Sequence, residues 1–141
     1  MVEYRSIDDR AFHRVAADLV IRDGEGRIVL IRRKFEPFED TWCLPGGHVE
    51  EDEQVRDAAV REAREETGLD IEIQDILGVY DAPERDPRGP VISIVFIADA
   101  TGGTLRAETD AEEARWFALN DLPDELGFDH ETILDDFMSR D

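Results

Sequence analysis

Positive charge is what this chain has least of. Against 36 Asp and Glu it carries 16 Lys and Arg, a formal net charge of −20 on 141 residues. Lys34 is its one lysine. A field of that sign opposes nucleic acid and anionic membranes, so neither is expected as a partner. It would also repel a small anionic substrate unless a local group of cations or a metal offset it. The acids are spread along the chain rather than gathered in a tail. So few lysines among so many acids suggest adaptation to a salt-rich cytoplasm, where the screening length falls to about 3 Å near 1 M salt.

Cysteine is nearly missing as well. Cys43 stands alone, so no internal disulfide can form. Beside Leu44 in an apolar stretch it reads as a small buried hydrophobe, in keeping with a cytoplasmic protein. No apolar run reaches the roughly 18 residues of a membrane helix, and the opening M-V-E-Y-R-S-I-D-D-R is not a signal peptide. Repeats, linkers and low-complexity blocks are also lacking. With 41% hydrophobic residues, a single globular domain over residues 1–141 is expected.

What the chain does have is one organising stretch, from Gly46 to Leu69: G-G-H-V-E-E-D-E-Q-V-R-D-A-A-V-R-E-A-R-E-E-T-G-L. A glycine loop comes first. Asp52 is a fair N-cap, and Gly68 suits a left-handed C-terminal cap, which predicts a helix over Glu53 to Thr67. On a helical wheel Val55, Ala58, Ala59 and Ala63 form the only apolar face. Glu62 and Glu66 fall inside that arc, and Glu65 sits at its edge. A Glu/Arg-rich helix is ordinarily a solvated face laced with i,i+4 pairs, and Arg61 is placed to pair with Asp57 and Glu65. This helix, however, has no other apolar face to bury. Like charges crowded on a core-facing side are costly unless something cationic meets them. Carboxylates at i, i+3 and i+4 suit a hard divalent ion such as Mg2+, which binds through few carboxylates plus substrate phosphates.

The same stretch resembles the Nudix box, G-x5-E-x7-R-E-U-x-E-E-x-G-U with U an apolar residue. It matches at Gly47, Glu53, Arg61, Glu62, Ala63, Glu65, Glu66, Gly68 and Leu69. The resemblance implies a Mg2+-dependent hydrolase of nucleoside diphosphate derivatives, with Mn2+ able to substitute. By the same resemblance Glu62, Glu65 and Glu66 would hold the metal, with a backbone carbonyl from Gly46. Glu53 and Arg61 would support them, Arg61 through a bidentate pair with a glutamate. A further base or metal ligand would come from Asp110, Glu112 or Glu113 in the acidic loop E-T-D-A-E-E.

Around the box, L-I-R-R-K-F-E-P-F-E-D-T-W-C-L-P-G-G-H-V-E and G-V-Y-D-A-P-E-R-D-P-R-G resemble ADP-ribose pyrophosphatases. Those enzymes carry a proline in the loop past the box; here Pro83 and Pro87 flank that place and Arg85 occupies it. ADP-ribose, cleaved to AMP and ribose 5-phosphate, is therefore the expected substrate. The alternatives are an ordinary or oxidised nucleoside triphosphate, or a nucleotide-sensing module without turnover. Arg32, Arg33, Lys34, Arg85 and Arg88 are candidates for phosphate or ribose contacts. Phe35, Trp42 and Tyr80 are candidates for stacking on adenine, Trp42 equally for the core. A homodimer is expected from such relatives.

The rest of the chain supplies the frame. His13 to Arg22 and Arg27 to Arg32 read as a hairpin about D-G-E-G. Trp42 to Pro45 leads into a Gly46-Gly47 turn. Asp70 to Tyr80, Val91 to Ala98 and Ala114 to Leu119 read as strands, with Thr101 to Ala111 a polar loop between the last two. A final helix is predicted at His130 to Ser139. Strands, helix, strands, helix suggest a mixed sheet with helices on two sides. The resemblance implies the corresponding α/β/α sandwich.

Overall fold

The computed structural model describes residues 12–107 and 111–140. Its centre is β1 (Arg14–Arg22), whose residues 16 to 21 are all buried. Such an unbroken buried run marks a strand covered on both faces. β1 runs parallel to β6 (Val91–Gly103), in register from Arg14 opposite Val91 to Arg22 opposite Asp99. The other pairings are antiparallel, so the sheet is mixed. β2 (Arg27–Arg33) leaves β1 just past the hairpin, where Arg22 faces Ile28. That divergence admits β4 (Gly46–His48) beside β1 and β7 (Ala111–Ala118) beside β2. β3 (Trp42–Cys43) borders β2, and β5 (Leu69–Tyr80) borders β6.

Side chains alternate across a strand, so neighbours in β1 feed opposite layers. Ala17, Leu19 and Ile21 pack under α1 (Val55–Thr67), against Ala58, Ala59 and Ala63. Val20 packs on the other side with Ile28, Leu30 and Val95, under Ile133 and Leu134 of α2 (His130–Met138). The expected α/β/α sandwich is the architecture found. Neither described helix is long and apolar enough to cross a membrane.

Four local expectations are corrected. First, α1 begins at Val55 rather than Glu53, and its N-cap is Gln54, without a side-chain cap bond, rather than Asp52. Residues 50 to 53 close a turn instead: the Glu50 N–H donates to Glu53 Oε1 and the Glu53 N–H to the Glu50 carbonyl. Second, Gly46 and Gly47 are not a turn but part of β4, aligned with Asp18 and Ala17. Third, Trp42 and Cys43 form a strand of their own. Fourth, the loop expected from Thr101 is shorter, because β6 continues to Gly103 opposite Leu69 and β7 already begins at Ala111. Gly68 does cap α1, at φ 74°, with its N–H on the Arg64 carbonyl. α2 starts at His130, where the sequence places it, and ends one residue earlier, at Met138 with Ser139 as its C-cap.

Candidate active site

The outer edge of β4, the start of β1 and the core side of α1 enclose a cleft of about 520 Å³. Glycine shapes its floor. A Cβ on Gly46 would come within 2.7 Å of Asp18 Cα and meet the Ala17 carbonyl, so the backbone can lie this close only as glycine. A Cβ on Gly47 would fall 2.5 Å from the Glu62 carboxylate. β4 therefore runs directly against two acids, Asp18 from β1 and Glu62 from α1.

Along the α1 wall, Glu62 and Glu66 both line the cleft; Glu66 is buried, as its place on the apolar arc demands. Glu65, at the edge of that arc, is exposed and does not line it. Arg61 is the cation that meets these acids. Its Nε and Nη2 bind Glu53 at 2.7 and 2.9 Å as a bidentate pair, and its Nη1 reaches Glu62 at 2.8 Å and Glu65 at 3.0 Å. Nη2 also donates to the His48 carbonyl at 3.2 Å, tying the helix to β4. The expected pair with Asp57 does not form, because the guanidinium turns toward Glu53 and β4 instead. The hydrogen bonds from Arg61 hold the Glu53 carboxyl down at about 2.

Arginines from three other segments, with Asp86 among them, share the cleft. Arg14 of β1, Arg33 at the end of β2, and Arg85 and Arg88 of the 81–90 loop all line it. The Arg85 side chain is only 3% exposed and binds Asp129 through Nε at 2.9 Å and Nη2 at 2.7 Å. His130 is buried, and its Nδ1 accepts the Leu44 N–H at 2.9 Å, so the ring is held neutral; burial pushes its pKa down to about 3. His48 is also held below its usual value, by burial first and then by Arg88 and Arg14. One cleft thus sets carboxylates against arginines, an arrangement that suits a polyanionic ligand bridged to cations.

Residues 12–137 match the NUDIX domain. The chain belongs to the Nudix family. It is 54% identical over 124 residues to an ADP-ribose pyrophosphatase of Methanocaldococcus jannaschii, a match covering 88% of this chain and 72% of that one. Among solved structures, a MutT NUDIX hydrolase from Burkholderia pseudomallei is similar at TM-score 0.81 and 34% identity, covering 89% of this chain and 98% of its own. An ADP-ribose pyrophosphatase from Streptococcus suis is similar at TM-score 0.74 and 28% identity, covering 92% and 94%.

The Nudix helix and loop thus bring Gly46, Glu53, Arg61, Glu62 and Glu66 together, and Arg33, Arg85 and Arg88 share the cleft. Other expected residues lie elsewhere. Arg32 binds Asp40, Glu112 and Glu113 at 3.1 to 3.4 Å and does not line the cleft. Glu112 and Glu113 are engaged by that arginine, and Glu113 also by Arg115. Asp110 lies outside the described residues. Lys34 is exposed and sits over Phe35, itself exposed on the surface. Trp42 packs edge-on to Phe117, 4.9 Å between ring centres, beside the α2-side core. The Tyr80 hydroxyl donates to Asp136 at 2.7 Å.

Asp18, Arg14, Phe128 and Asp129 went unnoticed in the sequence, and His130 suggested nothing specific there. Only Asp18 carried a signal, as an acid inside a strand too apolar to hold one without purpose. Its carboxyl is buried and accepts a hydrogen bond from the Ser93 hydroxyl of β6. Burial raises it from 3.8 to about 6, against the pull of Ser93 and Arg85. A carboxyl raised on folding binds more protons in the native state, so its contribution to stability falls as pH rises from about 4 to about 6. Asp18→Asn removes that loss. Urea melts at pH 4.5 and 7 should show the variant gaining on the parent by about 2 kcal/mol at the higher pH. Parallel profiles for the two proteins would exclude an elevated Asp18.

Proposed function

We propose that this chain hydrolyses the pyrophosphate of a nucleoside diphosphate derivative, with ADP-ribose as substrate and AMP and ribose 5-phosphate as products. The observation that carries this reading is that Glu62 and Glu66 line a single cleft together with Arg33, Arg85 and Arg88. The naming of the M. jannaschii relative supports the substrate.

The donors available suit a divalent metal, and Mg2+ before others, with Mn2+ able to replace it. All are oxygen: the Glu62 and Glu66 carboxylates and the Gly46 carbonyl, on a floor that a Cβ at Gly47 would fill. Among the described residues no three His, Cys, Asp or Glu side chains form a closed metal-binding group. Mg2+ ordinarily binds through one or two carboxylates plus substrate phosphates. Such an ion, when bound, neutralises the pyrophosphate and lowers the pKa of a water. The chain's own residues do the rest. Arg61 fixes the Glu62 and Glu53 carboxylates, so that they need not reorganise as charge develops. Arg33, which has no carboxylate partner among the described residues, offsets the acidic field where the phosphates enter, while Arg85 and Arg88 are held in place by Asp129 and Asp86. Glu112 and Glu113, at the start of β7, and Asp110 remain the candidates for a base.

A comparison of kcat/KM for ADP-ribose, 8-oxo-dGTP, Ap4A and CoA at one Mg2+ concentration tests the substrate. ADP-ribose should lead. A triphosphate preferred about tenfold, some 1.4 kcal/mol of transition-state binding, would overturn the ADP-ribose assignment and leave the hydrolase class standing. Mg2+-dependent binding without turnover would instead mark a sensor.

A further inference from the structure

At the mouth of the cleft, Phe128 is the meeting point of three loops. Its ring lies 4.7 Å from Phe38 of the 34–41 loop and 5.3 Å from His130. The Arg33 guanidinium stands 5.1 Å from its centre and that of Arg88 5.9 Å. Phe128 has φ 54°, a conformation that costs a phenylalanine energy and persists only where the surroundings impose it. Its neighbours impose it here. The Gly127 N–H is held by the Trp42 carbonyl at 2.9 Å, Asp129 by Arg85, and His130 by the Leu44 N–H.

The two arginines are not alike. Arg88 is locked by the buried Asp86 through Nε at 3.0 Å and Nη2 at 2.7 Å. Arg33 donates from Nε to the Pro37 carbonyl at 2.6 Å and has no carboxylate partner among the described residues. In a chain of net charge −20 an arginine kept clear of acids at a cleft is a costly exception. An aromatic ring attracts a guanidinium placed over its face, and Phe128 has both arginines within 6 Å of its centre.

We propose that Phe128 is a positioning residue of the substrate site: its ring gathers Arg33 and Arg88 so that they hold a phosphate of the nucleoside diphosphate across from the Nudix glutamates. This rests on the phosphate-binding reading of the cleft given above. ADP binding measured by calorimetry in Mg2+ tests it without requiring turnover. Phe128→Leu keeps an apolar side chain of similar size but removes the ring, and should weaken ADP about tenfold, the scale of one partly desolvated cation–π contact. Phe128→Tyr should restore affinity to within about threefold. In an Arg33→Gln background the loss from Phe128→Leu should shrink by more than half, because the ring then has only Arg88 to position. With ADP-ribose as substrate the larger part of the loss should fall on KM rather than kcat.

Wild-type affinity in Phe128→Leu, or an undiminished loss in the Arg33→Gln background, overturns the proposal. If Phe128→Leu does not fold, Arg33→Gln decides alone: unchanged ADP affinity overturns it and a loss of about tenfold sustains it. Wild-type protein that binds ADP but does not cleave ADP-ribose overturns the activity and leaves the role of Phe128 to the variants. Wild-type protein that does not bind ADP overturns both.

Discussion

Glu66→Gln should lower kcat by about 100-fold or more, with the fold intact. The side chain sits on the buried side of α1, in the arc of Ala59 and Ala63, and lines the cleft beside Glu62. Glutamine keeps its shape and one acceptor oxygen but not its charge. What is lost is therefore electrostatic: a preorganised anion facing the phosphates and their metal. Glu62→Gln should behave similarly, with the added loss of a 2.8 Å charged contact to Arg61. Steady-state turnover at saturating substrate and Mg2+, alongside circular dichroism melts, separates chemistry from folding. Near-normal turnover in both variants would remove α1 from the active site.

The two glycines of β4 should respond to alanine in opposite ways. Gly46→Ala is expected to cost about 3–5 kcal/mol, because the new Cβ would meet backbone, the Ala17 carbonyl and Asp18 Cα, at a φ of 155°. Neither atom can withdraw without breaking the β1–β4 pairing. For a domain of this size that corresponds to a fall in Tm of about 10 °C or more. At Gly47 the new Cβ would meet only the end of the Glu62 side chain, 2.5 Å away. A carboxylate can swing aside. Gly47→Ala should therefore fold, lose at most about 1 kcal/mol, and cut turnover at least tenfold by displacing Glu62. Thermal melts and kcat for the pair check this. A Gly47→Ala protein with normal kcat would mean that the position of Glu62 does not matter.

That asymmetry could not be seen in the string G-G, where both residues read as a turn. Glycine reports that a side chain would not fit, but not what it would strike. The same limit applies to the arginines. Arg32, Arg33 and Lys34 are adjacent and looked equivalent. The alternation of β2 and its end at Arg33 send them to different places: Arg32 to Glu112 and Glu113, Arg33 to the cleft, Lys34 to the surface. Trp42 likewise read equally as a stacking or a core residue, and β3 turns it onto Phe117.

The sequence by itself determined that α1 is a helix and which of its side chains share a face. Spacing on one helix fixes which side chains share a face, so Glu62 and Glu66 beside Ala59 and Ala63, the flanking Arg61 and the Gly68 cap could all be read from neighbouring letters. The runs of apolar residues determined most of the strands, and with them the layered class. Only the tertiary structure decided the rest of the cleft. Asp18 meets Ser93 through the parallel pairing of β1 with β6, and Arg85 meets Asp129 across two loops. Phe128 is held in place by bonds to its neighbours from Trp42, Leu44 and Arg85. Those contacts join residues far apart in the chain, and each depends on how the strands are ordered in the sheet. Local periodicity carries no record of that order, which is set by the packing of the whole core.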